Sequence, residues 1–110
     1  MEHLNTVIIS EYTEALGKDV FLQTLSLYEQ QATNYFTDLA TAIDHNDKQA
    51  WQKGCHTMKS AAGNMGLKAL HQLLGDMEYT CANQQHMTDK LAEAKQLNNE
   101  CLVQLKQFLA

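Results

Sequence analysis

Trp51-Gln52-Lys53-Gly54-Cys55-His56-Thr57-Met58-Lys59-Ser60-Ala61-Ala62-Gly63-Asn64-Met65-Gly66 is the stretch that decides the fold. At 100° per residue, and with Trp51 as zero, Cys55, Met58, Ala62 and Met65 all fall within about 40° of one direction. That direction is a core face, and its spacing is helical. On the same wheel Lys59 lies near 80°, Gln52 near 100°, Gly63 near 120°, His56 near 140° and Ser60 near 180°. His56 therefore points at water from a helix whose other side is buried.

The chain around this segment carries more stripes of the same period. Leu4, Val7, Ile8, Tyr12 and Ala15 form a short first helix stopped by Gly17. Asp19 is the expected cap of a long second helix whose stripe runs Phe21, Leu25, Tyr28, Ala32, Tyr35 or Phe36, Leu39, Ala42 and Ile43. His45-Asn46-Asp47 breaks that helix, and Asp47 caps the third. Leu67, Leu70, Leu74, Met77 and Cys81 form a fourth stripe that ends in the polar stretch Asn83 to His86. Thr88 is expected to cap the fifth helix, which carries Leu91, Ala94 or Lys95, Leu97 or Asn98, Cys101, Leu102, Leu105 and Phe108 or Leu109. The 110 residues contain no proline and only five glycines, too few for the turns of an all-β or α/β chain. The expected fold is all-α: one domain over residues 1–110, an antiparallel up-down-up-down four-helix bundle with a short N-terminal helix packed across it.

Composition excludes several function classes. The eight cations are all lysine against 13 acidic residues, a formal net charge of −5 without a single arginine fork, so a nucleic-acid surface is not expected. No apolar run approaches the roughly 20 residues of a bilayer crossing, and the acidic start Met1-Glu2-His3 is not a secretory n-region, so the expected location is cytoplasmic. Cys55, Cys81 and Cys101 are odd in number and widely spaced, which reads as buried thiols rather than a disulfide framework or a zinc site. Cys55 and His56 point about 100° apart and do not converge on one ion. There is no Ser/His/Asp arrangement, no glycine loop able to cradle a phosphate and no carboxylate pair marking a cleft.

The exposed histidine is the candidate site. Ser60 and Gly63, one and two turns on, are too small to cover the imidazole, and Lys59 can bring an ammonium near a negative group placed on it. On the single helix, Gly63 reads as a clearing that could be filled without harm to the fold. The run His56-Thr57-Met58-Lys59-Ser60-Ala61-Ala62-Gly63-Asn64-Met65-Gly66 resembles the signature of histidine-containing phosphotransfer (HPt) domains: a histidine, any residue, an aliphatic, lysine, then small residues and a later glycine. Ser60 stands where glycine is commoner. Leu16-Gly17-x-Asp19, the Asp47 break and Leu67-x-x-Leu70 are similar to the same family, most of all to the C-terminal HPt modules of hybrid sensor histidine kinases.

The resemblance implies a carrier without kinase activity of its own, which accepts a phosphoryl group on His56 from a receiver-domain aspartate and passes it to the aspartate of a response regulator. It implies Lys59 as the nearby cation, Ser60 and Gly63 as small positions at the partner surface, and a polar residue of the next helix on the ring. Glu78, at the edge of the fourth stripe, is the candidate for that residue, and Gln52, one turn before His56, competes with it. The expected partners are the receiver domains of a hybrid sensor kinase and of a response regulator. The chain is expected to be a monomer with no cofactor or metal of its own, Mg2+ belonging to the partner receiver; attached to a hybrid sensor kinase, it would lie on the cytoplasmic side of the membrane. Two other readings remain. The dimerisation and phosphoacceptor domain of a histidine kinase also presents a helical histidine, but it follows it with an acidic residue and soon a proline, where this chain has Thr57 and no proline. A non-catalytic helical adaptor leaves the small residues around His56 unexplained.

Overall fold

The computed structural model describes residues 2–110, so Met1, the first residue of the acidic start, lies outside it. Five helices follow one another: α1 (Thr6–Leu16), α2 (Lys18–Asp44), α3 (Lys48–Asn64), α4 (Lys68–Thr80) and α5 (Gln84–Leu109). All four breaks are at most three residues long, and the three that join α2 to α5 in turn leave antiparallel neighbours. The ring closes because α2 packs on both α3 and α5, α3 on α4, and α4 on α5. The resulting rod measures 43 × 23 × 17 Å. Its axis is filled by the predicted stripes, among them Phe21, Leu25 and Leu39 from α2, Trp51, Cys55 and Met58 from α3, Leu74 and Met77 from α4, and Cys101 and Leu105 from α5.

Helix ends differ from expectation at two places. Asp19 does not cap α2: Gly17, at φ +85°, is the N-cap residue and joins α1 to α2 directly, so Asp19 falls in the first turn. Such a φ is open to glycine and strained for other residues, which lets a one-residue link redirect the chain. Thr88 does not cap α5 either. Asn83 does, its Oδ1 accepting the His86 backbone N–H at 2.9 Å, and the polar stretch becomes the exposed first turn. Asp47 does cap α3, accepting from the Ala50 backbone N–H at 3.0 Å.

The buried face of α1 is also not the expected one. Ile9 is fully buried and Leu4, just before the helix, is buried, whereas Val7 is 66% exposed and Tyr12 is exposed. The reason is the strap that precedes α1: the Asn5 N–H donates to the Gly66 carbonyl at 2.8 Å, and the Ala69 N–H donates to the His3 carbonyl at 3.1 Å. These bonds roll α1 so that Ile9 lies on the turn between α3 and α4. Gly66, at φ +75°, has no room for a Cβ there, since Ile9 Cγ1 would be 2.6 Å away.

One polar pair crosses the core. Tyr28 Oη donates to Asn98 Oδ1 at 2.7 Å between α2 and α5, and burial holds the Tyr28 phenol far above its ordinary 10.0. The three cysteines are free, with Cys55 and Cys101 buried, and burial pushes the Cys55 thiol up to about 12. Among the described residues no helix is long and apolar enough to cross a membrane.

Candidate functional site

The α3–α4 seam positions every group of the site. Two hydrogen bonds to backbone carbonyls fix the register of these helices on either side of His56. Trp51 Nε1 donates to the Met77 carbonyl at 2.9 Å, and His71 Nδ1 lies 2.9 Å from the Lys59 carbonyl. A carbonyl only accepts, so His71 carries its proton on Nδ1. Trp51 and Lys59 are eight residues apart, about 12 Å along α3, and His56 sits between them.

With that register, Glu78 reaches from α4 to two residues of α3 at once. Its Oε1 is 3.2 Å from His56 Nδ1 and its Oε2 is 3.3 Å from Lys59 Nζ. The Glu78 side chain is only 5% exposed, that of Lys59 26% and that of His56 62%. Burial pushes the Glu78 carboxyl up, but the Lys59 hydrogen bond, Tyr79 and the charges of Lys59 and His56 outweigh it and leave the group below its ordinary 4.5. An ionised carboxylate only accepts, so its place 3.2 Å from Nδ1 favours the His56 proton on that nitrogen. In the neutral ring so protonated, the lone pair is on Nε2 of a side chain that is largely exposed.

Of the residues singled out in the sequence, His56, Lys59 and Glu78 meet in one group, in which Glu78 accepts a hydrogen bond from Lys59 and faces His56 as an ion-pair partner. Ser60 is exposed and turns its Oγ back to the His56 carbonyl at 3.3 Å. Gln52 is exposed, and among the described residues no hydrogen bond joins it to the imidazole. Gly63 is not the open clearing expected from the single helix. A Cβ there would stand 2.8 Å from His71 Nδ1 and 3.2 Å from Cε1, so a side chain at 63 collides with α4.

His71 is the group that sequence reasoning missed. It is half-buried and holds the backbone of α3 beside the site. The glycine at 63 was its one signal, because a residue-sized gap on one helix marks the place of a side chain from the next. Among the described residues no cluster of three or more His, Cys, Asp or Glu side chains converges as a metal site would require.

Comparison with known proteins agrees with this architecture. The family model described as Hpt domain matches residues 23–109. The chain is 29% identical over 70 residues to the aerobic respiration control sensor protein ArcB of Escherichia coli strain K12, a match covering 64% of this chain and 9% of that protein. The ArcB protein of Shigella flexneri matches to the same extent, so the chain spans under a tenth of the length of these curated relatives. Among solved structures, the histidine-containing phosphotransfer domain of ArcB from Escherichia coli superposes with a TM-score of 0.86 at 22% identity, covering 98% of this chain and 93% of that one.

Proposed function

Because the chain belongs to the Hpt domain family, and is thereby a histidine phosphotransfer module with partners in a two-component phosphorelay, we propose that His56 is the residue that carries the phosphoryl group. The observation that carries this reading is the Glu78 carboxylate, buried and shared between Nδ1 of an exposed imidazole and the Lys59 ammonium. A histidine nucleophile needs one nitrogen held by a proton acceptor and the other free, and His56 has that form.

The step is a displacement at phosphorus. The His56 Nε2 lone pair attacks the aspartyl phosphate of a receiver domain, the N–P bond forms, and the mixed-anhydride O–P bond breaks to release the aspartate carboxylate. The ring now carries its Nδ1 proton and the phosphoryl group together and is formally cationic, and Glu78 opposite Nδ1 stabilises that charge. Transfer to a second receiver is the same step in reverse, with a new aspartate as nucleophile. Lys59, close to both groups, neutralises charge on the moving phosphoryl. On this reading the chain is a cytoplasmic monomer that passes phosphate from the receiver of a hybrid sensor kinase to that of a response regulator. It holds no cofactor itself, Mg2+ belonging to the receiver. Small Ser60 leaves the exposed face of α3 beside His56 open to such a partner.

Incubation with a phosphorylated receiver domain tests this. The wild type takes up acid-labile phosphate, His56→Gln takes up none while keeping its helicity, and Mg-ATP alone labels neither protein. Labelling of His56→Gln would overturn the assignment, and strong labelling by ATP alone would move the function to a kinase.

A further inference from the structure

Lys59 is gripped by α4 at three levels. Its backbone carbonyl accepts from His71 Nδ1 at 2.9 Å. Its aliphatic stem runs past Gly75, where a Cβ would be 3.4 Å from Lys59 Cδ. Its ammonium ends on Glu78 Oε2 at 3.3 Å. Residues 71, 75 and 78 are spaced by four and three, so they form one stripe of α4, facing a single lysine of α3. Lysine is the side chain with the most rotamer freedom to lose, and holding its root and stem in advance removes much of that loss from the moment the ammonium acts.

We infer that His71 is a positioning residue for phosphotransfer, which acts through Lys59 by fixing the backbone from which that lysine reaches the site. The inference rests on the phosphotransfer reading of His56. Gly63 is part of the device, because only a residue without a side chain leaves the His71 ring beside the Lys59 carbonyl. Gly75 is its second clearance, since a residue larger than alanine there would displace the lysine stem.

The test is a set of transfer rates from a phosphorylated receiver domain to His56. His71→Leu removes the donor and should slow transfer about fivefold, the equivalent of one ordinary hydrogen bond. His71→Asn keeps an N–H donor on the same Cγ, has a helix propensity close to that of histidine, and should restore most of the rate. In a Lys59→Met background His71→Leu should slow transfer no further. Long-range 1H–15N spectra of the wild type should show His71 as the Nδ1–H tautomer, a readout that requires no variant to fold. The inference is overturned by a ring protonated on Nε2 alone, by unchanged transfer in His71→Leu, by failure of His71→Asn to rescue, or by an equal slowing with and without Lys59. Absence of phosphate uptake by the wild type would instead overturn the reading of His56 on which it rests.

Discussion

Replacing Glu78 by glutamine separates the charge of this residue from its shape. One oxygen of the carboxylate faces His56 Nδ1 at 3.2 Å and the other accepts from Lys59 Nζ at 3.3 Å. An amide has one oxygen and one NH2, so one donor must lose its acceptor. A hydrogen bond to a charged group contributes about 1.5–3 kcal/mol, but the Lys59 and His56 side chains are 26% and 62% exposed and regain water, so the net loss is on the order of 1 kcal/mol. For a domain of this size that lowers Tm by about 4 °C near neutral pH. The sign with pH follows from the depressed Glu78 carboxyl. A group whose pKa is lower folded than unfolded stabilises above its ordinary 4.5, and that contribution is lost as pH falls through the folded value. Urea unfolding of both proteins, followed by circular dichroism from neutral to strongly acid pH, should therefore show a gap in stability that closes on the acid side of 4.5. Other carboxylates titrate alike in the two proteins and cancel in the difference. A gap of constant size across the whole range, or no gap at neutral pH, would refute the ionic role of Glu78.

Gly54→Ala and Gly75→Ala should act in opposite directions: a Cβ at 54 would be 2.8 Å from Cδ2 of fully buried Leu39, overpacking worth about 1–3 kcal/mol, whereas one at 75 makes an ordinary contact and gains up to about 1 kcal/mol of helix propensity. Thermal melts of the two variants check this. Tyr28→Phe leaves the Asn98 oxygen without its 2.7 Å donor in the core and should destabilise by about 1–3 kcal/mol in urea unfolding. Gly63→Ala should stabilise the protein by about 1 kcal/mol in a His71→Ala background, where the ring it would strike is gone, and by clearly less with His71 present; an equal effect in both backgrounds would contradict the contact.

The fold was legible because helical period assigns two faces to a residue run, and α3 shows both clearly. Trp51, Cys55, Met58 and Ala62 are buried, and His56 is exposed. Glu78 was legible for a related reason: it stands at the edge of the α4 stripe, where a long side chain can reach a neighbouring helix. The bond from His71 to the Lys59 carbonyl was not, because a backbone acceptor has no residue type to mark it. Gly63 was misread for the same cause, since a wheel gives a direction from its own axis and not what lies opposite. In α1 several apolar residues compete for the buried face, and hydrogen bonds from Asn5 and His3 to other segments decide that Ile9 takes it. The start of α5 went unseen because its first turn, Gln84 to His86, buries little and has no apolar period to read.

The site and the bundle depend on one another through the buried carboxylate. An ionised group taken out of water destabilises a fold unless partners compensate it, and the compensation for Glu78 comes first from Lys59, with Tyr79 and His56 adding to it, so two of its three partners are residues of the proposed chemistry. At rest Lys59 is therefore occupied, and its ammonium is held on Glu78 rather than free to wander over the surface. On the proposed phosphotransfer reading, arrival of a phosphoryl group on Nε2 would change that balance in a defined direction. The new negative charge attracts Lys59, while the imidazole, now cationic and still protonated on Nδ1, binds Glu78 more tightly than the neutral ring did. Glu78 thus keeps one strong partner as it releases the other, and the buried charge is never left uncompensated. Lys59 can change partners over a short distance because its root stays fixed by His71 while only its distal atoms move.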